Sequence, residues 1–160
     1  MVRLHDPGSK RRLKRTGFDM GETRKIDPDK INTTSLAFIG DAVYETYVRK
    51  YVLASGQTRA DKLHRMAVAY VRAEAQAAVI KEIFGDLDPK LASLVRRARN
   101  HKSATKPKNA DPVIYKWATA FEALIGYLYL KEDTELMEEI IAKAIEIIEQ
   151  GGIPARANGF

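Results

Sequence analysis

From Thr33 onward the apolar residues return every three or four positions, and no stretch alternates apolar with polar residues as a half-buried strand would. The segment "TTSLAFIGDAVYETYVRKYVLASG" (33–56) opens on the capping hydroxyls of Thr34 and Ser35 and closes at Gly56. "TRADKLHRMAVAYVRAEAQAAVIKEIFGD" (58–86) begins with Thr58 three residues ahead of Asp61, a capping-box-like start, and ends at Gly85. Its length predicts two helices with a bend. "DPKLASLVRRARN" (88–100) and "DPVIYKWATAFEALIGYLYLKE" (111–132) each start Asp-Pro, an N-cap followed by the proline that suits a first helical position. "DTELMEEIIAKAIEIIEQGG" (133–152) is an acidic amphipathic helix stopped by two glycines. The pattern predicts an all-α bundle of five or six helices over residues 31–150.

Two of these segments carry a carboxylate where an apolar side chain would be expected. Glu122 has Tyr115, Ala118, Thr119, Ile125, Gly126 and Tyr129 as its helical neighbours. Unpaired in such a stripe it would cost several kcal/mol, so it needs a basic side chain, a proton or a cation. Ala118 and Gly126 leave room for another helix or a bound group. Asp41 follows Gly40 and shares its face with Ala37, Phe38, Tyr44 and Val48. Glycine costs about 1 kcal/mol against alanine inside a helix, so close packing is the better reason for Gly40. A salt bridge or a solvated position would account for either acid taken singly. Taken together, the two suit one Mg²⁺, a hard cation often held by one or two carboxylates with water and phosphate completing its shell.

Charge adds a partner. The net charge of +6 is concentrated: residues 1–30 hold nine Lys/Arg against five Asp/Glu, and residues 96–108 hold six with no acid. The remaining sequence carries twelve basic and sixteen acidic residues. Two basic segments on an otherwise acidic chain point to a polyanion such as nucleic acid. Residues 1–30, with scattered Pro and Gly, read as a disordered extension, and 151–160 as a flexible tail. Zero cysteines exclude thiolate metal sites and fit a reducing cytoplasm. No uncharged apolar run is long enough to span a membrane, and nothing resembles a signal peptide.

The segment "LAFIGDAVYE" (36–45) resembles the signature of the ribonuclease III family, and "ATAFEALIGYLYL" (118–130) resembles its second acidic motif. With "RRARNHKSATKPKNAD" (96–111) between them, the order is similar to that of the small bacterial Mini-ribonuclease III branch. The resemblance implies an all-helical endonuclease domain that works as a homodimer. It implies cleavage of double-stranded RNA with Mg²⁺, leaving 5′-phosphate and 3′-hydroxyl ends. The expected substrate is the precursor of large-subunit (23S) ribosomal RNA, with room for a ribosomal-protein partner.

Residue by residue, Asp41 matches the signature aspartate and Glu122 the second-motif glutamate, as catalytic and metal-binding acids. Two further family acids are replaced by Ala37 and Thr119; Thr119 or Glu45 could assist, although a salt-bridged Glu45 is the plainer reading. With no double-stranded RNA-binding domain expected after the second motif, RNA affinity is expected from the catalytic domain itself, the N-terminal extension or a protein partner. The best candidates are Arg96, Arg97, Arg99, Asn100, Lys102, Ser103, Lys106 and Lys108, reading phosphates and 2′-hydroxyls. His64 is expected in the core or an interface, and Trp117 with its neighbouring tyrosines in the core or dimer surface. The rival readings are an inactive RNA-binding or ribosome-assembly protein of the same fold, and a helical DNA-binding regulator.

Overall fold

The computed structural model describes residues 25–102 and 109–151. Six α-helices make up this part of the chain: α1 (Thr33–Leu53), α2 (Ala60–Val71), α3 (Ala73–Ile83), α4 (Pro89–Asn100), α5 (Pro112–Leu130) and α6 (Thr134–Gln150). No strand occurs among the described residues. Helix α5 is the axle. It is apolar on nearly all sides, and it packs most extensively on α1, then on α3 and α4, with α6 closing the bundle. Phe121, Leu124 and Ile125 are fully buried, each worth roughly 1.5–3 kcal/mol of burial. Tyr44 of α1 sets its ring edge-on to Phe121 at 4.8 Å, and its hydroxyl donates to the Tyr70 carbonyl at 3.1 Å, so α1, α2 and α5 are fixed together.

Both Asp-Pro starts form as expected. Asp88 accepts from the Leu91 amide and Asp111 from the Val113 amide. Other boundaries differ. The cap of α1 is Asn32, accepting from the Ser35 amide at 2.8 Å, so Thr34 and Ser35 lie inside the helix. Thr58 forms no capping box; the Gln57 side chain accepts from the amides of Thr58 and Arg59 instead. The bend in the long segment falls at Arg72, whose extended backbone (ψ 151°) ends α2 and starts α3. Helix α3 stops at Ile83, and Gly85 sits in the 3-10 turn that follows.

Ordered structure also begins earlier than expected. Asp27 caps a 3-10 turn at Pro28–Lys30, so the last residues assigned to the N-terminal extension belong to the fold. The turn is fastened by Asp29, which takes Lys131 at 2.7 Å, the Tyr127 hydroxyl at 2.8 Å and Lys90 at 3.3 Å. The rest of that extension (1–24) and of the C-terminal tail (152–160) lies outside the described residues. His64 is exposed rather than in the core, at the rim of a shallow pocket between α1 and α2 lined by Val52, Leu53 and Leu63.

Candidate active site

The site grows out of the α1–α5 crossing. Gly40 lies against the Glu122 carbonyl, and a Cβ on Gly40 would also fall 2.7 Å from the Gly126 amide nitrogen. Gly126 lies just as tightly against the Leu36 carbonyl. Only glycine at both positions lets the two backbones approach this closely. The crossing brings Asp41, the residue after Gly40, close to Glu122.

Electrostatics agrees with that proximity. Burial first, and then the nearby Asp41 charge, raise the Glu122 carboxyl from 4.5 to about 8, with Gln76 partly offsetting both. Glu122 keeps some solvent exposure as a residue, yet protein atoms surround its carboxyl closely enough for burial to be the largest effect. Asp41 is more exposed. Its carboxyl is also raised, by burial first and then by the Glu45 charge. Neither acid forms an ion pair among the described residues; Glu45 pairs with Arg49 at 2.7 Å. Among the described residues the salt-bridge account therefore fails for both acids; Asp41 reaches solvent, and Glu122 is left to a proton or a cation.

Glu45 is salt-bridged to Arg49, the plainer reading of it, while its charge is still felt at Asp41. The Thr119 hydroxyl donates to the Tyr115 carbonyl of its own helix at 2.9 Å. No group of three or more potential acid or imidazole ligands assembles among the described residues. A pair of hard carboxylate oxygens with open access on the Asp41 side still fits a cation such as Mg²⁺, which keeps several waters. Gln76, overlooked in the sequence, is 1 % exposed and its side-chain nitrogen lacks a hydrogen-bond partner. Its amide is near enough to favour an ionised Glu122, but the pair does not reach full hydrogen-bond geometry. The signal available was a lone amide in the apolar run "AQAAVI".

The basic candidates gather at the end of α4. Arg96, Arg97, Asn100 and Lys102 are exposed, with Arg97 donating to the Ser93 hydroxyl at 3.0 Å. Arg99 is half-buried: its guanidinium lies 4.9 Å over the Trp117 ring, and its Nε donates to Asn100 at 3.1 Å. Lys81 approaches the same ring at 5.8 Å, and Arg96 sits 5.8 Å from the Phe84 ring, which is edge-on to Trp117. Trp117 thus organises cations where α3, α4 and α5 meet, a role its sequence context did not reveal. Ser103, Lys106 and Lys108 lie outside the described residues. A cleft of about 50 Å³ beside the end of α4 is lined by Ala98 and His101 together with Tyr115, Lys116 and Thr119 of α5.

A helical bundle built on this crossing, with an acid from each of two glycine-marked helices, defines a ribonuclease III-type endonuclease domain. The family model described as the Ribonuclease III domain matches residues 34–133. The Mini-ribonuclease 3 of Symbiobacterium thermophilum is 42 % identical over 80 % of this chain and 98 % of its own length. That of Brevibacillus brevis is 45 % identical over 77 % and 92 %. A crystal structure of a Fusobacterium nucleatum protein superimposes with a TM-score of 0.67 at 37 % identity, covering 73 % of this chain and 93 % of that one. The chain belongs to the Mini-ribonuclease 3 family, and it is an endoribonuclease of the type that cuts double-stranded RNA.

Proposed function

We propose that this endoribonuclease holds Mg²⁺ between Asp41 and Glu122 and trims the base-paired ends of the 23S ribosomal RNA precursor. The observation that carries the metal reading is the unneutralised pair of neighbouring carboxylates, each destabilised in its charged form. The ribosomal substrate rests on the family branch. When bound, Mg²⁺ lowers the pKa of water and stabilises negative charge on a phosphoryl oxygen. Glu122, deeper in the bundle, and Asp41, at the surface, would be the two residues that hold the cation. Water oxygen bonds to phosphorus as the bond to the 3′ oxygen breaks, which gives 5′-phosphate and 3′-hydroxyl ends. Arg96, Arg97, Arg99, Asn100 and Lys102 position the duplex through its backbone.

The active form is a homodimer, whose twofold presents two sites to opposite strands. Phe38 supports this reading: it is 82 % exposed on α1, one turn before Asp41. A ribosomal RNA substrate places the enzyme in the cytoplasm. Among the described residues no helix is long and apolar enough to cross a membrane.

The test is to map cuts on a 23S precursor with Mg²⁺, using the wild type, Asp41→Asn and Glu122→Gln. Wild-type cuts at the paired ends, lost in both variants with RNA binding retained, are expected. Intact RNA at high wild-type excess would instead favour an RNA-binding scaffold of the same fold, in keeping with Ala37 and Thr119 at two acid positions. Full activity in either variant would overturn the site.

A further inference from the structure

We propose that Gln76 is a positioning residue for Glu122, an amide donor held inside the bundle to fix the carboxylate that binds the cation. Gln76 lies in the first turn of α3, immediately after the bend at Arg72, where its backbone amide donates to the Arg72 carbonyl at 3.1 Å. Its neighbours on α3 are Ala75, Ala77, Val79 and Ile80, all buried. It is the one buried polar or charged residue in the core among the described residues, and its Nε2 is the one fully buried side-chain nitrogen or oxygen left without a partner.

Such a group is costly, because the amide nitrogen gives up its bonds to water and gains no bond of full geometry in return. A methionine or leucine would fill the same volume without that penalty, so packing alone does not account for glutamine. The neighbouring group that can use an N–H donor is Glu122, an acceptor when ionised. Gln76 already biases that carboxyl toward its charged form. An amide has two donors and a fixed planar shape, and its burial between α3 and α5 restricts where they point. It can therefore hold one carboxylate oxygen while the other faces the cation, as outer partners of metal ligands commonly do.

The inference rests on the metal reading, and the experiment separates the two. Mg²⁺ alone is titrated into the full chain and followed through backbone amide NMR shifts. The proteins compared are wild type, Gln76→Met, Gln76→Leu and Glu122→Gln. Thermal midpoints are taken in chelator, and cleavage is measured against Mg²⁺ and against duplex RNA. Gln76→Met is expected to melt at or above the wild-type temperature and to bind Mg²⁺ about 10–100-fold more weakly. Its KM for RNA at saturating Mg²⁺ should be unchanged. Gln76→Leu should behave alike, which guards against a packing fault peculiar to methionine.

Wild-type Mg²⁺ affinity in both Gln76 variants, with that affinity lost in Glu122→Gln, would overturn the role of Gln76 and leave the metal site standing. A lowered melting temperature with unchanged Mg²⁺ dependence would show a purely structural glutamine. Retained affinity in Glu122→Gln would remove the metal site and this inference together.

Discussion

Gly40 and Gly126 meet at the point where α1 crosses α5, each pressed against the backbone of the opposite helix. A methyl group at either position would collide with a carbonyl, not with a side chain that could turn aside. Gly40→Ala and Gly126→Ala should therefore each cost at least the roughly 1–3 kcal/mol of an overpacked core, despite alanine's better helix propensity. Activity should fall further than stability, because separating the helices also separates Asp41 from Glu122. Thermal melts and turnover on duplex RNA measure both. Gly85→Ala is the control: its position opens onto free space, and it should change little. Wild-type turnover in Gly40→Ala would mean that the tight crossing does not set the site.

That crossing was legible in the sequence for a physical reason. A glycine inside a helix and a lone acid in an apolar run both carry a local cost, so each announces a tertiary cause. The Asp-Pro starts were legible because a cap and its proline act within one turn. The bend at Arg72 could be expected only in outline: neither glycine nor proline marks it, and packing of α2 and α3 against different partners fixes the place. His64 looked internal because Ala60, Ala67 and Val68 flank it on the helix. Which face of α2 lacks a neighbour is decided by α1 and α3. Gln76 and the Lys81–Trp117–Arg99 cluster depend on helices distant in the chain, and no spacing rule reports such meetings.

Protonation should tie stability to pH in the absence of added metal. The folded Glu122 carboxyl holds its proton up to about pH 8, whereas an unperturbed glutamate loses it near 4.5. The folded state thus binds a proton that the unfolded chain has released. The Glu122 contribution to stability is fully present below about 4.5 and is lost as pH rises toward 8. The limiting slope is about 1.4 kcal/mol per pH unit. Asp41 acts in the same direction. Asp29 is held well below the ordinary carboxylate range by Lys131 and Tyr127, so its contribution is lost only in stronger acid. Melting curves from pH 5 to 8 in chelator should show the decline, Glu122→Gln should flatten it, and Mg²⁺ at pH 8 should reverse it. An identical slope in wild type and Glu122→Gln would show that Glu122 is not the titrating group.

Phe38 offers a clean test of the dimer. With 82 % of its surface exposed in the single chain, its replacement should cost the isolated fold no more than about 0.5 kcal/mol. If the α1 face pairs with a second copy, Phe38→Glu places a charge inside that contact. Sedimentation should then show a shift from dimer to monomer, with loss of paired cuts on duplex RNA. An unchanged dimer carrying Phe38→Glu would move the interface to another face.

RNA affinity should divide between exposed charges and the ring that arranges them. Arg96, Arg97 and Lys102 reach solvent at the end of α4 and form no ion pair with an acid among the described residues. Removing any one cation that meets a phosphate should weaken binding and reduce the slope of log affinity against log salt by roughly one counterion. Arg97→Ala should do this with little change in turnover at saturating RNA. Trp117→Leu removes no charge, yet it frees Arg99 and Lys81 from their shared ring. It should therefore weaken binding because those cations are no longer held in place, while leaving the salt slope nearly as it was. Trp117 is the only tryptophan in the chain, so its fluorescence can report binding in the other variants. Titrations at several salt concentrations separate the two effects. An Arg97→Ala variant with the wild-type affinity and slope would exclude this end of α4 from the RNA interface.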